Sequence, residues 1–225
     1  MKKFVIIVAG GSGSRMGTII PKQFLELAGK PVLMHTIQVF YNYDPDCELI
    51  LVLPETQQKF WNELCLKHSF SIRHQVVSGG ETRFHSVRNG LKMIQDEGIV
   101  FIHDGVRPLV SPETIDRCFQ MAVKNGNAIP VLQVTDSLRK LKRNKSNSVD
   151  RTLYLIVQTP QTFRTEQILM AYQQEYKRTF TDDASVAEKA GIPIFYVTGN
   201  PENIKITAPT DLIIAEAFLK NTLQG

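Results

Sequence analysis

Short, nearly uninterrupted apolar runs recur along this chain, and each is followed by a longer stretch with helical spacing. The runs are residues 4–8 (FVIIV), 48–53 (ELILVL), 99–102 (IVFI) and 128–132 (AIPVL). A strand that is apolar on both faces must be covered on both faces, as in a parallel sheet. Residues 31–40, 57–67, 82–94 and 111–124 lie between or after them and repeat their apolar positions at helical intervals. Ser111 and Pro112 offer a cap and a first-turn proline, and Gly126 marks that helix's end. Residues 73–77 are a weaker strand candidate. This βαβα order predicts an open α/β sheet with right-handed crossovers, binding ligands beyond the carboxyl ends of its strands.

The pattern changes after Val134. Residues 137–141 and 152–157 read as two strands of a hairpin with the polar tip 144–148 as its turn. Helices at 166–176 and 184–190, strands at 194–197 and 203–207, and a last helix at 209–219 follow. No repeat and no linker rich in Pro, Gly or Ser interrupts the chain. One domain over 1–225 is expected, with 136–151 as a projecting excursion.

Charge singles out the same excursion. The chain carries 26 Lys+Arg against 22 Asp+Glu, a formal charge of +4. Residues 136–151 hold six basic and two acidic side chains, so the whole excess is there. No aromatic lies among them to stack on a base and no nucleic-acid motif is present, so nucleic-acid binding is disfavoured. Cys47, Cys65 and Cys118 have no metal-ligand or disulfide-framework spacing, which suits small buried thiols in a reducing cytoplasm. The opening MKKFVIIVAGG imitates a signal peptide, but its six-residue apolar run is too short for one. No run is long enough to span a membrane.

The first strand runs into Ala9-Gly10-Gly11-Ser12-Gly13-Ser14-Arg15-Met16-Gly17. Glycines at a strand end expose backbone N–H groups that can cradle phosphate oxygens. The loop is neither a Walker A sequence, which would end in Gly-Lys-Ser/Thr, nor a dinucleotide fingerprint, whose third glycine is replaced by Met16. Arg15 and Lys22, in Pro21-Lys22-Gln23-Phe24, are cations suited to a nucleoside triphosphate and to charge building up at its α-phosphate. By composition alone the loop also fits a tight surface turn. Asp104, after the run 99–102, stands where open α/β sheets place functional groups; it could hold Mg²⁺ or simply cap a turn.

The pattern GGxGxRMG with PKQF, followed in order by His103-Asp104-Gly105-Val106-Arg107-Pro108, Gln158-Thr159-Pro160-Gln161 and Asn203-Ile204-Lys205-Ile206-Thr207, resembles the pyrophosphorylase-like nucleotidyltransferases. The nearest similarity is to the 2-C-methyl-D-erythritol 4-phosphate cytidylyltransferase family, over essentially the whole chain. The resemblance implies a Rossmann-like three-layer α/β domain with a β-hairpin arm, acting in the non-mevalonate route to isoprenoid precursors. It implies CTP and methylerythritol 4-phosphate as substrates, Mg²⁺ as cofactor, and a homodimer in which each arm embraces the other subunit. Arg15, Lys22 and Lys205 would be catalytic. Ala9, Gly10, Gly11, Gly13, Gly80, Glu81 and Ser86 would bind the nucleotide. Arg107, Ser137, Arg151 and Thr181 would bind the acceptor, and Asp104 the metal. Ser137 stands where the family has threonine and keeps the hydroxyl. His35, His68, His74, His85 and His103 read as structural. Ribitol-5-phosphate cytidylyltransferases share the glycine loop and PKQF, so ribitol 5-phosphate is the alternative acceptor. A non-catalytic nucleotide-binding regulator is the alternative of another kind; it would be expected to lose Arg15 or Lys22, and both are present.

Overall fold

The computed structural model describes residues 1–10 and 20–222. Strand β1 (Lys2–Val8) is followed by a 3-10 turn (Lys22–Phe24), a small hairpin of β2 (Glu26–Leu27) and β3 (Lys30–Pro31), and α1 (Val32–Tyr43). The alternation continues with β4 (Glu48–Leu53), α2 (Glu55–Lys67), β5 (Gln75–Ser78), α3 (Arg83–Leu91), β6 (Gly98–Asp104), α4 (Pro112–Asn125) and β7 (Asn127–Gln133). Then come β8 (Arg139–Lys142), β9 (Lys145–Ser148), β10 (Leu155–Val157), β11 (Gln161–Arg164), α5 (Thr165–Ala171), α6 (Asp183–Lys189), β12 (Tyr196–Thr198) and α7 (Pro209–Thr222).

Eight strands form one sheet in the order β10–β7–β11–β6–β1–β4–β5, with β12 also paired to β7. β6, β1, β4 and β5 are parallel, whereas β10 and β11 run antiparallel to their neighbours. The alternation of side chains along a strand makes three layers. On one face Val5, Ile7, Leu49, Leu51 and Phe101 pack with Leu33, Ile37 and Phe40 of α1, Trp61 of α2 and Ile115 of α4. On the other, Phe4, Ile6, Ile50, Val52, Val100 and Ile102 pack with Phe84 and Val87 of α3, Ile168 of α5 and Val186 of α6. Both faces of β1 are thus dry, as its continuous apolar run requires. The expected α/β fold with a mostly parallel sheet is what forms.

The expected caps of α4 are in place. The Ser111 side chain accepts from the Thr114 N–H, and Gly126 closes the helix at φ 97°. Other expectations are corrected. The arm hairpin pairs β8 with β9 through a tight turn at Arg143 and Asn144, so residues 152–157 are not its second strand. They form part of a 3-10 turn (Arg151–Leu153) and β10, which returns to β7. Residues 203–207 form no strand: Ile206 N–H donates to the Val106 carbonyl, Asn203 and Ile204 N–H make local bonds to the Asn200 and Glu202 carbonyls, and Ile206 is buried. The helix expected over 166–176 stops at Ala171. Strand β11, at the heart of the sheet, has no counterpart in the hydrophobic pattern, because Gln161 and Thr162 are polar yet fully buried.

Candidate active site

The register places Val8 opposite both Val52 and Asp104, so β1, β4 and β6 end at one level. Gly105 N–H donates to the Val8 carbonyl, and a Cβ on Gly105 would lie 2.8 Å from the Ala9 Cβ; only glycine lets these strand ends meet. Buried Gln23 donates to the Ala9 carbonyl at 2.8 Å and to Gln57 Oε1 at 2.7 Å. Phe24 is stacked on Trp61 and edge-on to Phe60. The two side chains after Lys22 therefore fix Lys22 beside the end of β1.

Lys22 lines a cavity of about 210 Å³ with Ala9, Gly10, Gly80, Glu81, Arg83, Ser86, Asp104 and Lys205. Thr82 caps α3 by accepting from His85 N–H. Ser86, one turn in, accepts from Gly80 N–H at 3.1 Å, and its hydroxyl returns a bond to the Gly80 carbonyl. The glycine turn is thereby shaped by its own helix. A second cavity, about 310 Å³, is lined by Arg107, Gln158, Thr159, Gln161, Thr181 and Asp182, and shares Arg83, Asp104 and Lys205 with the first.

Asp104 stands between them. Its Oδ2 meets Lys205 Nζ at 2.9 Å and Arg107 Nε at 3.2 Å, and its Oδ1 lies 3.6 Å from Arg83 Nε. Burial alone would raise its pKa; the Arg83, Lys205 and Arg107 charges outweigh that and hold the carboxyl well below the usual range. It is a carboxylate at any working pH. Its backbone N–H donates to Thr159 Oγ1, whose hydroxyl donates to His103 Nδ1 at 3.1 Å; His103 Nε2 donates to the Arg107 carbonyl at 2.9 Å. Burial lowers the His103 pKa to about 4, so the ring is a neutral brace, as the sequence reading of a structural histidine expects.

Lys205 is delivered by an amide network. Asn203 donates to the Thr159 carbonyl at 2.8 Å, Gln158 donates to the Asn200 and Asn203 carbonyls, and Arg107 donates to the Asn203 carbonyl. Irregular backbone at residues 200–206 is held where a strand ladder would otherwise hold it.

Of the residues named from sequence, Ala9, Gly10, Lys22, Gly80, Glu81, Ser86, Asp104 and Lys205 meet in the first cavity, and Arg107 and Thr181 join Asp104 and Lys205 in the second. Gly11, Gly13 and Arg15 lie outside the described residues. Ser137 and Arg151 line neither cavity: both are exposed, and Arg151 donates to the Thr135 carbonyl on the arm. Three residues escaped the sequence reading: Arg83, Asp183 and Gln161, the last inside the quoted Gln158-Thr159-Pro160-Gln161 motif. Asp183 is fully buried and takes Arg83 in a two-pronged pair at 2.8 and 2.7 Å. Gln161 bonds the Asp182 carboxylate and Ala184 N–H at the start of α6.

Among the described residues no group of three His, Cys, Asp or Glu side chains is placed to hold a metal. The donor set does fit a divalent ion carried on a triphosphate, which needs one or two protein carboxylates. Asp104 would supply one. The three cysteines are free, and burial raises their thiols to about 12, 11 and 12 in chain order, which disfavours the thiolate form. No helix among the described residues is long and apolar enough to cross a membrane.

A mostly parallel α/β sheet that gathers cations and one ionised carboxylate at its strand ends, beside a glycine turn, defines a phosphate-handling enzyme of the nucleotidyltransferase class. The family model for 2-C-methyl-D-erythritol 4-phosphate cytidylyltransferase matches residues 3–221. The chain belongs to that family. The cytidylyltransferase of that name from Bacteroides thetaiotaomicron is 54% identical over 97% of this chain and 100% of its own length. The one from Bacillus velezensis is 37% identical over 98% and 97%. Among solved structures, 4-diphosphocytidyl-2C-methyl-D-erythritol synthase from Anaerococcus prevotii superposes with a TM-score of 0.81 at 29% identity, covering 97% of this chain and 96% of its own. The cytidylyltransferase from Thermus thermophilus superposes at 0.79 with 30% identity, covering 98% and 100%.

Proposed function

We propose that this protein transfers CMP from CTP to 2-C-methyl-D-erythritol 4-phosphate and releases pyrophosphate, a step in non-mevalonate isoprenoid precursor biosynthesis. The observation that carries the reading is Asp104 with its three cations, shared by two adjoining cavities, in a chain of this family. A phosphate oxygen of the acceptor attacks the α-phosphorus of CTP in line. That oxygen is already anionic, so no general base is needed, and the buried histidine nearby, His103, is engaged on both ring nitrogens. Catalysis is then positioning and charge compensation.

In this reading Ala9, Gly10, Gly11 and Gly13 hold the triphosphate through backbone N–H groups, while Gly80, Glu81 and Ser86 receive the cytidine. Lys22, Arg15 and Lys205 offset the charge that builds up at the α-phosphate. Arg107 and Thr181 hold the acceptor phosphate. Asp104 would hold Mg²⁺, which neutralises triphosphate charge when bound. Ser137 and Arg151 act across a homodimer, each arm completing the partner's site. Support for that comes from the exposed apolar side chains Leu141, Leu153, Tyr154, Ile156 and Val157, which are grouped on and just beyond the arm. A single nucleotidyltransferase domain over 1–225 and a cytoplasmic setting, consistent with three free thiols, belong to the same reading.

Pyrophosphate release with CTP and Mg²⁺ tests it in three arms: methylerythritol 4-phosphate, ribitol 5-phosphate, and no acceptor. Release with the first alone is expected. Release only with ribitol 5-phosphate would reassign the acceptor, and none in any arm would favour a regulator.

A further inference from the structure

Arg83 is the side chain that both cavities share and that no motif assigned. It is the first residue of α3, on the nucleotide side, and it reaches across to α6, on the acceptor side. Its two terminal nitrogens grip the two oxygens of Asp183 at 2.8 and 2.7 Å, and the Tyr172 hydroxyl donates to Oδ1 of the same carboxylate at 2.6 Å. Asp183 has no solvent exposure, so this pair sits in a low-dielectric setting where geometry is held tightly. On its other side, Arg83 Nε lies 3.6 Å from Asp104 Oδ1. Phe84, next in sequence, is stacked on Tyr172 at 4.7 Å and on Phe180, which closes the same joint with apolar contact.

We propose that Arg83 is a positioning residue that clamps the acceptor half of the site to the nucleotide half and so sets where Thr181 and Asp182 stand relative to Asp104. The inference rests on the cytidylyltransferase reading above. The nucleotide-side turn does not need the clamp: Thr82, Ser86 and Gly80 hold it by bonds of their own. The acceptor side uses it as a polar tie to α3, beside the apolar contact of Phe84. The start of α6 is tied by its own capping box, by Gln161 and by Asp183, and of these only Asp183 reaches α3. Loosening the clamp therefore acts on the acceptor and spares CTP.

Arg83→Lys keeps the charge opposite Asp183 but loses the fork. The double variant Arg83→Gln/Asp183→Asn removes the ion pair without leaving a buried charge alone. Both are compared with wild type for the acceptor KM and turnover, and for the CTP dissociation constant without acceptor by calorimetry; thermal melts report the fold. For both, the acceptor KM is expected to rise about tenfold or more, with the CTP constant within about threefold of wild type. For the double variant, these losses are expected even though its melting temperature stays near wild type. An acceptor KM within twofold of wild type in either folded variant overturns the proposal. So does a CTP constant that worsens as much as the acceptor KM, which would make Arg83 a nucleotide ligand. Wild-type enzyme that turns over neither acceptor would instead refute the underlying reading, and is distinguished by the wild-type arm alone.

Discussion

At the residue scale, most of the site's chemistry comes from pairing a few charges in a partly dry place. Lys22→Ala removes a cation proposed to act on charge that develops only during transfer. Turnover is expected to fall about 10²- to 10³-fold while the CTP dissociation constant changes by less than about fivefold. Steady-state kinetics with calorimetry separates the two, and unchanged turnover would remove Lys22 from the mechanism. His103 gives a stability signature. Its pKa is lowered from 6.5 to about 4 by burial, so between those values the unfolded chain binds a proton that the folded one does not. Stability is therefore expected to fall as pH drops from about 6.5 towards 4, by roughly 2–3 kcal/mol between pH 7 and 4.5. Asp104, whose pKa is depressed, adds its own loss only below about pH 4. Urea unfolding at pH 7, 5.5 and 4.5 reads this, and His103→Gln should flatten much of the slope, leaving the part due to half-buried His35 and His74, whose pKa values burial also lowers. Lys22, Asp104 and Lys205 were legible in sequence because their motifs single them out. Arg83 was not, because its role depends on Asp183, a hundred residues away.

At the element scale, the site is built where strands end together and one helix lies close to the sheet. Gly90 on α3 marks that closeness: a Cβ there would stand 2.8 Å from Ile6 Cγ2 and 3.1 Å from Val52 Cγ2. Gly90→Ala should cost about 1–3 kcal/mol through overpacking, in spite of alanine's better helix propensity, and a shift of the urea midpoint checks it. The parallel strands and the helices between them were legible because burial on both faces leaves an unbroken apolar run. β11 was not. Only Phe163 of its side chains is apolar: Gln161 bonds the start of α6, and Thr162 lies buried in the ladder with β6 and β7. The segment 203–207 misled in the opposite sense. Its alternation of Ile204 and Ile206 reads as a strand, but Arg107 and Gln158 satisfy the Asn203 carbonyl and leave Lys205 on irregular chain beside Asp104.

At the scale of the whole molecule, the +4 is a property of the arm and not of the site. The turn expected at 144–148 falls at Arg143 and Asn144, with Lys145–Ser148 forming β9, and the expected partner strand goes elsewhere, since residues 155–157 return to β7. The apolar side chains left exposed by that return are the ones proposed to meet a second copy. Leu153→Asp is expected to turn a dimer into a monomer in sedimentation velocity and to lower turnover without changing the fold's melting temperature by more than a few degrees; a dimer that persists would move the interface elsewhere. In the proposed reaction CTP is opened at its α-phosphorus by an acceptor phosphate, with no base and no water. Phosphorus NMR of a reaction with CTP, Mg²⁺ and methylerythritol 4-phosphate tests this most directly. Pyrophosphate and a cytidine diphosphate diester should appear one for one, with neither formed when acceptor is omitted. Appearance of CMP with pyrophosphate, or of orthophosphate in place of the diester, would contradict it.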